Sequence, residues 1–197
     1  MNFSRLKKRI KEVAVWVKWQ LKGRPLPPPQ IVKQKLIKKC ARRYHCQILV
    51  ETGTCLGDTI DRLKNDFQQI FSIELSPELF RQAQKRFEQD PHINLFQGDS
   101  GEVLPSILPK LNKPTIFWLD GHYSGGVTAK AGVNTPIIKE LGAILNNPAI
   151  NQVILIDDAR LFIGQNDYPS LRELADFIAS RGKYEFKIKN DVIIIQR

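Results

Sequence analysis

Six acidic side chains stand where the chain could do chemistry, each just after an apolar run. Glu51 closes the run ILVE at residues 48–51 and leads into Gly53 and Gly57, in the spacing E-x-G-x-x-x-G. Glycines so placed let the backbone turn tightly and approach a ligand closely, as at the first strand of nucleotide-binding folds. The spacing is not the G-x-G-x-x-G that seats a pyrophosphate on a helix N-terminus. A carboxylate at this turn repels phosphate and suits a ligand that carries an amine or a sulfonium. Glu74 closes the run FSIE, where a carboxylate can accept hydrogen bonds from both hydroxyls of a ribose. A surface acid beside a helix start is the alternative for Glu74. Asp99 and Ser100 follow the run NLFQG; they can meet an adenine edge or cap the next helix, and one does not exclude the other.

The remaining three acids lie further along. Asp120 ends TIFWLD, and Asp157 and Asp158 end VILIDD. If the strands carrying them are neighbours, three carboxylates converge outside the sheet. Like charges that close need protons or a cation to offset them. Ligands that are all oxygen suit Mg²⁺, Mn²⁺ or Ca²⁺ better than zinc. A divalent ion would orient a substrate hydroxyl and lower its pKa. The alternative is that these acids cap helices and pair with Arg160. His122, two residues past Asp120, has the intrinsic pKa of a general base, and a structural role or a fourth ligand position is also open to it. Tyr123, Ser124, Lys130 and Arg160 border the same region. Residues 121–132 are rich in small side chains and long enough for a lid.

These acids need a scaffold, and the hydrophobic pattern supplies one. Strands are predicted at 47–51, 70–75, 93–97, 115–119 and 152–156, alternating with helices at 31–44, 57–65, 77–89, 102–111, 135–146 and 170–181. Two further strands, 184–189 and 192–196, form a hairpin about Asn190 and Asp191. This is an α/β pattern: a Rossmann-like, doubly wound sheet, mostly parallel, with the C-terminal hairpin giving one antiparallel strand. Ligands of such sheets bind beyond the carboxyl ends of the strands, where all six acids fall.

The motif E-x-G-x-x-x-G, the acid ending strand two, the G-D-S after strand three and the terminal hairpin resemble the class I methyltransferases that use S-adenosylmethionine (SAM). The resemblance covers residues 31–197. It implies that Glu51, Gly53, Thr54 and Gly57 meet the amino-acid part of SAM. Glu74 with Leu75 would hold the ribose side, and Asp99, Ser100 and Asp120 the rest of the cofactor pocket. Cys55 reads as a packing residue rather than a nucleophile. An Asp after strand four and an Asp-Asp pair after strand five are similar to the metal-dependent O-methyltransferases of the catechol and macrocin types. That likeness implies a metal, Mg²⁺ or a similar ion, on Asp120, Asp157 and Asp158, with Asp120 and His122 catalytic. The lysine base of the catechol type is not matched, because Asp-Gly-His-Tyr stands in its place. The implied reaction is O-methylation of a small hydroxylated molecule or a sugar.

Charge divides the chain. Residues 1–45 carry 14 of the 30 Lys and Arg but one acid, Glu12. The basicity thus reads as an N-terminal appendage, residues 1–24, joined through a Pro-rich linker, 25–30, to the body at 31–197. A stripe of Phe3, Leu6, Ile10, Val13, Ala14, Val17 and Leu21 recurs at helical spacing, with Trp16 and Trp19 outside it. Such a cationic helix can lie on a membrane surface through residues 3–22 or pack on the body or on a second copy in a homodimer. Nucleic acid is the weaker expectation, since a binding cleft would carry its own positive charge. The odd set Cys40, Cys46 and Cys55 fits a reducing, cytoplasmic setting, with attachment at a cytoplasmic membrane face open. No N/D-P-P-Y/F/W follows strand four and no Pro-Cys pair is present, which disfavours methylation of amino groups or of cytosine C5. An RNA methyltransferase using the basic N-terminus, or a SAM-binding protein without activity, are the other readings.

Overall fold

The computed structural model describes residues 3–121, 135–147 and 151–197, with residues 3–9 as backbone only. In chain order the elements are α1 (Phe3–Leu21), α2 (Gln30–Arg43), β1 (Ile48–Thr52), α3 (Asp58–Leu63), β2 (Gln69–Glu74) and α4 (Pro77–Arg86). Then come β3 (Ile93–Gln97), α5 (Ser100–Ile107), β4 (Thr115–Leu119), α6 (Ile137–Leu145), β5 (Gln152–Ile156), α7 (Leu171–Ala179), β6 (Glu185–Lys189) and β7 (Val192–Gln196). Several boundaries follow from local chemistry. Ser76 accepts a hydrogen bond from the backbone of Leu79 and so caps α4, with Pro77 at the first helical position. Ser170 and Glu173 make a reciprocal capping box that starts α7.

The strands form one seven-stranded sheet in the order β3-β2-β1-β4-β5-β7-β6. Neighbours are parallel from β3 through to β5, and β7 runs antiparallel to both β5 and β6. The expected architecture is therefore present, including the single antiparallel strand. The chain reverses its winding between β1 and β4, which places the crevice at their carboxyl ends. Every residue of β1, β4 and β7 is buried, as befits strands covered on both faces.

Alternate residues along the strands feed two cores. Ile48, Val50, Phe117, Leu119, Ile154 and Ile156 pack beneath α5, α6 and α7. Leu49, Ile116, Trp118, Val153 and Leu155 pack beneath α2, α3 and α4. The second layer matters for the site, because α2 brings its N-terminal turn over the ends of β4 and β5.

The N-terminal helix docks, but not by the stripe its sequence advertises. Trp19 is 6% exposed and packs with Ile31 and Val32, supported by Trp16. Its indole N–H donates to the Pro25 carbonyl at 2.8 Å, and Arg62 pairs with Glu12 at 2.8 Å. Lys35 sits 4.2 Å above the Trp16 ring. Ile10, Val13, Val17 and Leu21 are left in solvent, Leu21 at 83% exposure. The physical reason is the indole: it buries more surface than any single aliphatic side chain of the stripe and brings a polar handle that the linker satisfies. Replacing Trp19 by Ala should release α1 at a local cost of about 3 kcal/mol. Limited proteolysis would then cut within residues 1–29 much faster, while the body's melting transition stays close to wild type.

Candidate functional site

Backbone bonds join the strand ends into one floor. Asp120 N–H donates to Thr52 O at 3.1 Å, Asp157 N–H to Leu119 O at 3.0 Å, and Gly53 N–H to Ile73 O at 2.9 Å. The turn after β1 lies hard against the end of β4. A Cβ on Gly53 would sit 2.6 Å from the Asp120 carbonyl oxygen, so only glycine passes there, at φ +87°. Gly57 is likewise left-handed, and a Cβ there would enter the Phe87 ring at 2.7 Å. Cys55, also at positive φ, uses its backbone: its N–H donates to Glu74 Oε2 at 2.7 Å, while burial raises its thiol pKa.

Two carboxyls flank this cradle. Glu51 is 1% exposed and sits opposite Ser72 in the register of β1 and β2. Ser72 Oγ donates to Glu51 Oε2 at 2.8 Å and meets Thr54 Oγ1 at 2.6 Å. Burial pushes the Glu51 pKa up to about 8; the Ser72 hydrogen bond opposes this and the nearby Glu74 charge adds to it. Glu74, the last residue of β2, accepts from Cys55 N–H and, through its other oxygen, from Ser76 N–H at 2.8 Å. It pins the glycine turn to the start of α4, and each oxygen keeps a further lone pair. Leu75, beside it, is half-buried, and its carbonyl accepts from the Gln97 side chain.

Asp99 caps α5, its Oδ1 accepting from Gly101 N–H at 2.8 Å, so the capping role is realised. Ser100 is buried near Gly121, Thr52 and Glu140. Glu140, reaching in from α6, is 1% exposed, and burial raises its pKa to about 7 against the pull of the Ser100 and Thr52 hydroxyls. Sequence reasoning missed Glu140; its signal was an acid three residues after the buried Ile137 and four before the buried Ile144, hence on the packed face of a helix.

Asp120, Asp157 and Asp158 do converge, and a cation lies between two of them. It is Lys33, from the first turn of α2. Its Nζ is 2.5 Å from Asp157 Oδ2 and 3.1 Å from Asp158 Oδ1, and all three side chains are buried. Burial opposes the ammonium, but the charges of Asp157, Asp158 and Asp120 outweigh it, so the Lys33 pKa lies above its ordinary value. Burial lifts the Asp157 pKa to about 6, with Lys33 holding it down and Asp158 pushing it up. Asp120 is raised well above the usual carboxylate range, by burial and then by Asp157. A second cation braces the same end: Arg160 Nη1 bonds Asp158 Oδ1 at 2.7 Å and also Asp191, whose Oδ1 accepts from Arg160 N–H at 2.9 Å. Tyr168 stands close by, edge-on to Phe162, its phenol pKa raised by burial and by Asp158 and Asp120.

This arrangement revises the expectation of a divalent metal on Asp120, Asp157 and Asp158. Asp157 Oδ1 is engaged by Asp158 N–H at 2.8 Å, Asp157 Oδ2 by Lys33, and Asp158 Oδ1 by Lys33 and Arg160. A hard divalent ion takes carboxylate oxygens as direct ligands, and these three are turned to protein donors instead. Among the described residues no cluster of His, Cys, Asp and Glu is arranged to hold a metal. The donor set does not fit that ion. Lys33 shows that part of the basicity of residues 1–45 belongs to the body: it recurs with Leu36, Ile37 and Cys40 on the buried face of α2. That spacing was legible. His122, Tyr123, Ser124 and Lys130, with the rest of the expected lid beyond Gly121, lie outside the described residues.

No protein-family model matches the chain, and no curated protein matches it. Solved structures do. The chain is similar to the O-methyltransferase TomG from Streptomyces achromogenes, solved with SAM, at TM-score 0.62 and 15% identity over 93% of this chain and 87% of that one. It is similar to the Bacillus cereus O-methyltransferase solved with SAH, at TM-score 0.63 and 13% identity over 93% and 88%. The SAH-bound Podospora anserina methyltransferase PaMTH1 gives TM-score 0.59 and 14% identity over 100% and 97%. Identities this low establish the fold, the methyltransferase form of the Rossmann-like sheet, and leave activity to be argued from the site.

The Glu51 carboxyl carries a pH dependence of its own. With a folded pKa raised from 4.5 to about 8, its ionisation opposes folding. The penalty is absent below pH 4.5, grows as pH rises, and is complete above pH 8. Glu51→Gln should therefore stabilise the free protein at pH 8.5, by an amount on the order of 3 kcal/mol. Urea unfolding of both proteins should show the gain shrinking toward zero by pH 5.

Proposed function

We propose that the chain is a SAM-dependent methyltransferase acting on a hydroxyl of a small molecule or a sugar. The observation that carries this is the cradle between β1 and β4, where Gly53 leaves room for nothing but backbone and a buried Glu51 faces inward. Glu51 suits the positively charged amino-acid end of SAM, since a cation beside it draws its pKa back down. Glu74, with a lone pair left on each oxygen, suits the ribose hydroxyls. Asp99 and Ser100, directly after β3, are the proposed partners of the adenine. When bound, SAM supplies a methyl on a sulfonium, open to in-line attack by an oxygen nucleophile.

The chain's own part is to hold that oxygen and receive its proton. Asp120, directly after β4 at the reversal of winding, and His122, two residues on, are the proposed acceptors. The burial of Asp157, Asp158 and Glu140, with Asp120 half-buried beside them, makes this end a low-dielectric enclosure, where fixed charges act strongly. The N-terminal helix adds a second element. We propose that its free row of Ile10, Val13, Val17 and Leu21, flanked by Lys11, Lys18 and Lys22, rests on an anionic membrane surface. No helix among the described residues is long and apolar enough to cross a membrane.

Two measurements test these proposals. Calorimetry should show both SAM and its demethylated product binding, and binding strengthening from pH 6.5 to 8.5 as Glu51 gives up its proton. Glu74→Ala should weaken both by at least tenfold, about 1.4 kcal/mol. If neither ligand binds the wild type, the methyltransferase reading fails. Separately, the protein should co-sediment with vesicles containing phosphatidylserine but not with neutral ones, and Val13→Asp with Val17→Asp should abolish it. A concentration-dependent dimer that the same pair disrupts, without vesicle binding, would assign the row to a second copy instead.

A further inference from the structure

We propose that the Lys33 ammonium is the built-in cation of the acidic sheet end, standing where the three aspartates would otherwise recruit a divalent ion. The site then works without a metal. This rests on the methyltransferase reading for its purpose but not for its geometry.

The placement carries the proposal. Lys33 comes from α2, an element before the sheet begins, and reaches acids 124 and 125 residues away. Its side chain is 7% exposed, and those of Asp157 and Asp158 are 1% and 9%. A surface ion pair would sample many arrangements; this one is enclosed by protein on the core side of α2, where Ile37 is fully buried. The ammonium does for the acids what a metal would do. It offsets their mutual repulsion and fixes their oxygens in direction. Asp158 is held in the left-handed region at φ 55°, its backbone N–H turned to Asp157 and its carboxylate shared between Lys33 and Arg160. Arg160 is tied in turn to Asp191 in the hairpin turn. A divalent ion would have to displace a tethered ammonium and a guanidinium together. Lys33 acts through the aspartates, so it is a positioning residue.

The test is a metal titration of the free, full-length protein, which needs no substrate and no SAM. Isothermal calorimetry with Mg²⁺ and then Mn²⁺ should give no stoichiometric binding to the wild type up to millimolar ion. Removing the ammonium should uncover the acids: Lys33→Met, or Lys33→Gln should the first variant not fold, should gain a single Mn²⁺ site at least a hundredfold stronger than any wild-type signal. Asp157→Asn added to that variant should abolish the gained site, while Lys33→Arg should bind no metal, like the wild type. One-to-one Mg²⁺ or Mn²⁺ binding by the wild type that Asp157→Asn removes would overturn the proposal. So would a folded Lys33→Met or Lys33→Gln protein that gains no site. Should no Lys33 variant fold, the wild-type titration decides alone. Failure of SAM binding leaves this result untouched, so the two proposals stand or fall separately.

Discussion

The constraint on which this structure turns is the crowding of carboxyl groups at one end of a sheet. Glu51, Glu74, Asp120, Asp157 and Asp158 all stand at the carboxyl ends of four adjacent strands, and all but the half-buried Asp120 are buried. Removing even one carboxylate from water costs several kcal/mol unless it is paired or protonated. The fold meets this in two ways. On the β5 side it brings cations, Lys33 from α2 and Arg160 from the turn after β5. On the β1 side it brings hydroxyls and amides instead: Ser72 to Glu51, and the backbone N–H groups of Cys55 and Ser76 to Glu74. The first half is thereby supplied with counter-charge in the free protein. The second half is not, because Glu51 has neutral partners only and keeps its raised pKa until something positive arrives.

That asymmetry divides the crevice by task. The β1–β2 side, shaped by Gly53 and floored by Glu51, holds a buried carboxyl whose raised pKa a positive charge would lower. The β4–β5 side is a rigid set of oxygens whose directions are fixed by Lys33, Arg160 and Asp191. Between them Gly121 packs against Thr52, Ser100 and Glu140, so α6 takes part in the floor although no acid was expected from it.

The architecture was legible because period-two and helical patterns alternate cleanly. Strands β3, β4, β5 and β7 fall on the residues that the pattern indicates, and the hairpin at Asn190 and Asp191 adopts the positive φ values such turns require. The acids at the strand ends were legible for the same reason: topology dictates where a parallel sheet binds. What could not be read was partnership across long separations. Lys33 looked like one more member of a basic tract, and nothing local says that it pairs with residues more than a hundred positions on. The N-terminal helix misled in another way. Its aliphatic stripe has the regularity of a packing face, yet Trp19, off that stripe, makes the contact, because burial is decided by the partner surface and not by periodicity alone.

The order of the last two strands has a consequence for how the molecule is made. β7 follows β6 in the chain but lies inside it, wedged between β5 and β6. As the protein emerges from the ribosome, β5 therefore waits with a bare edge until residues 192–196 arrive. Asp191, which tethers Arg160 and through it Asp158, comes with them. The fully braced acidic end is thus assembled only after strands β1 to β5 have been made. A nascent chain halted before residue 191 would hold most of its hydrophobic core and an unbraced crevice, with an open strand edge beside it for other chains to find.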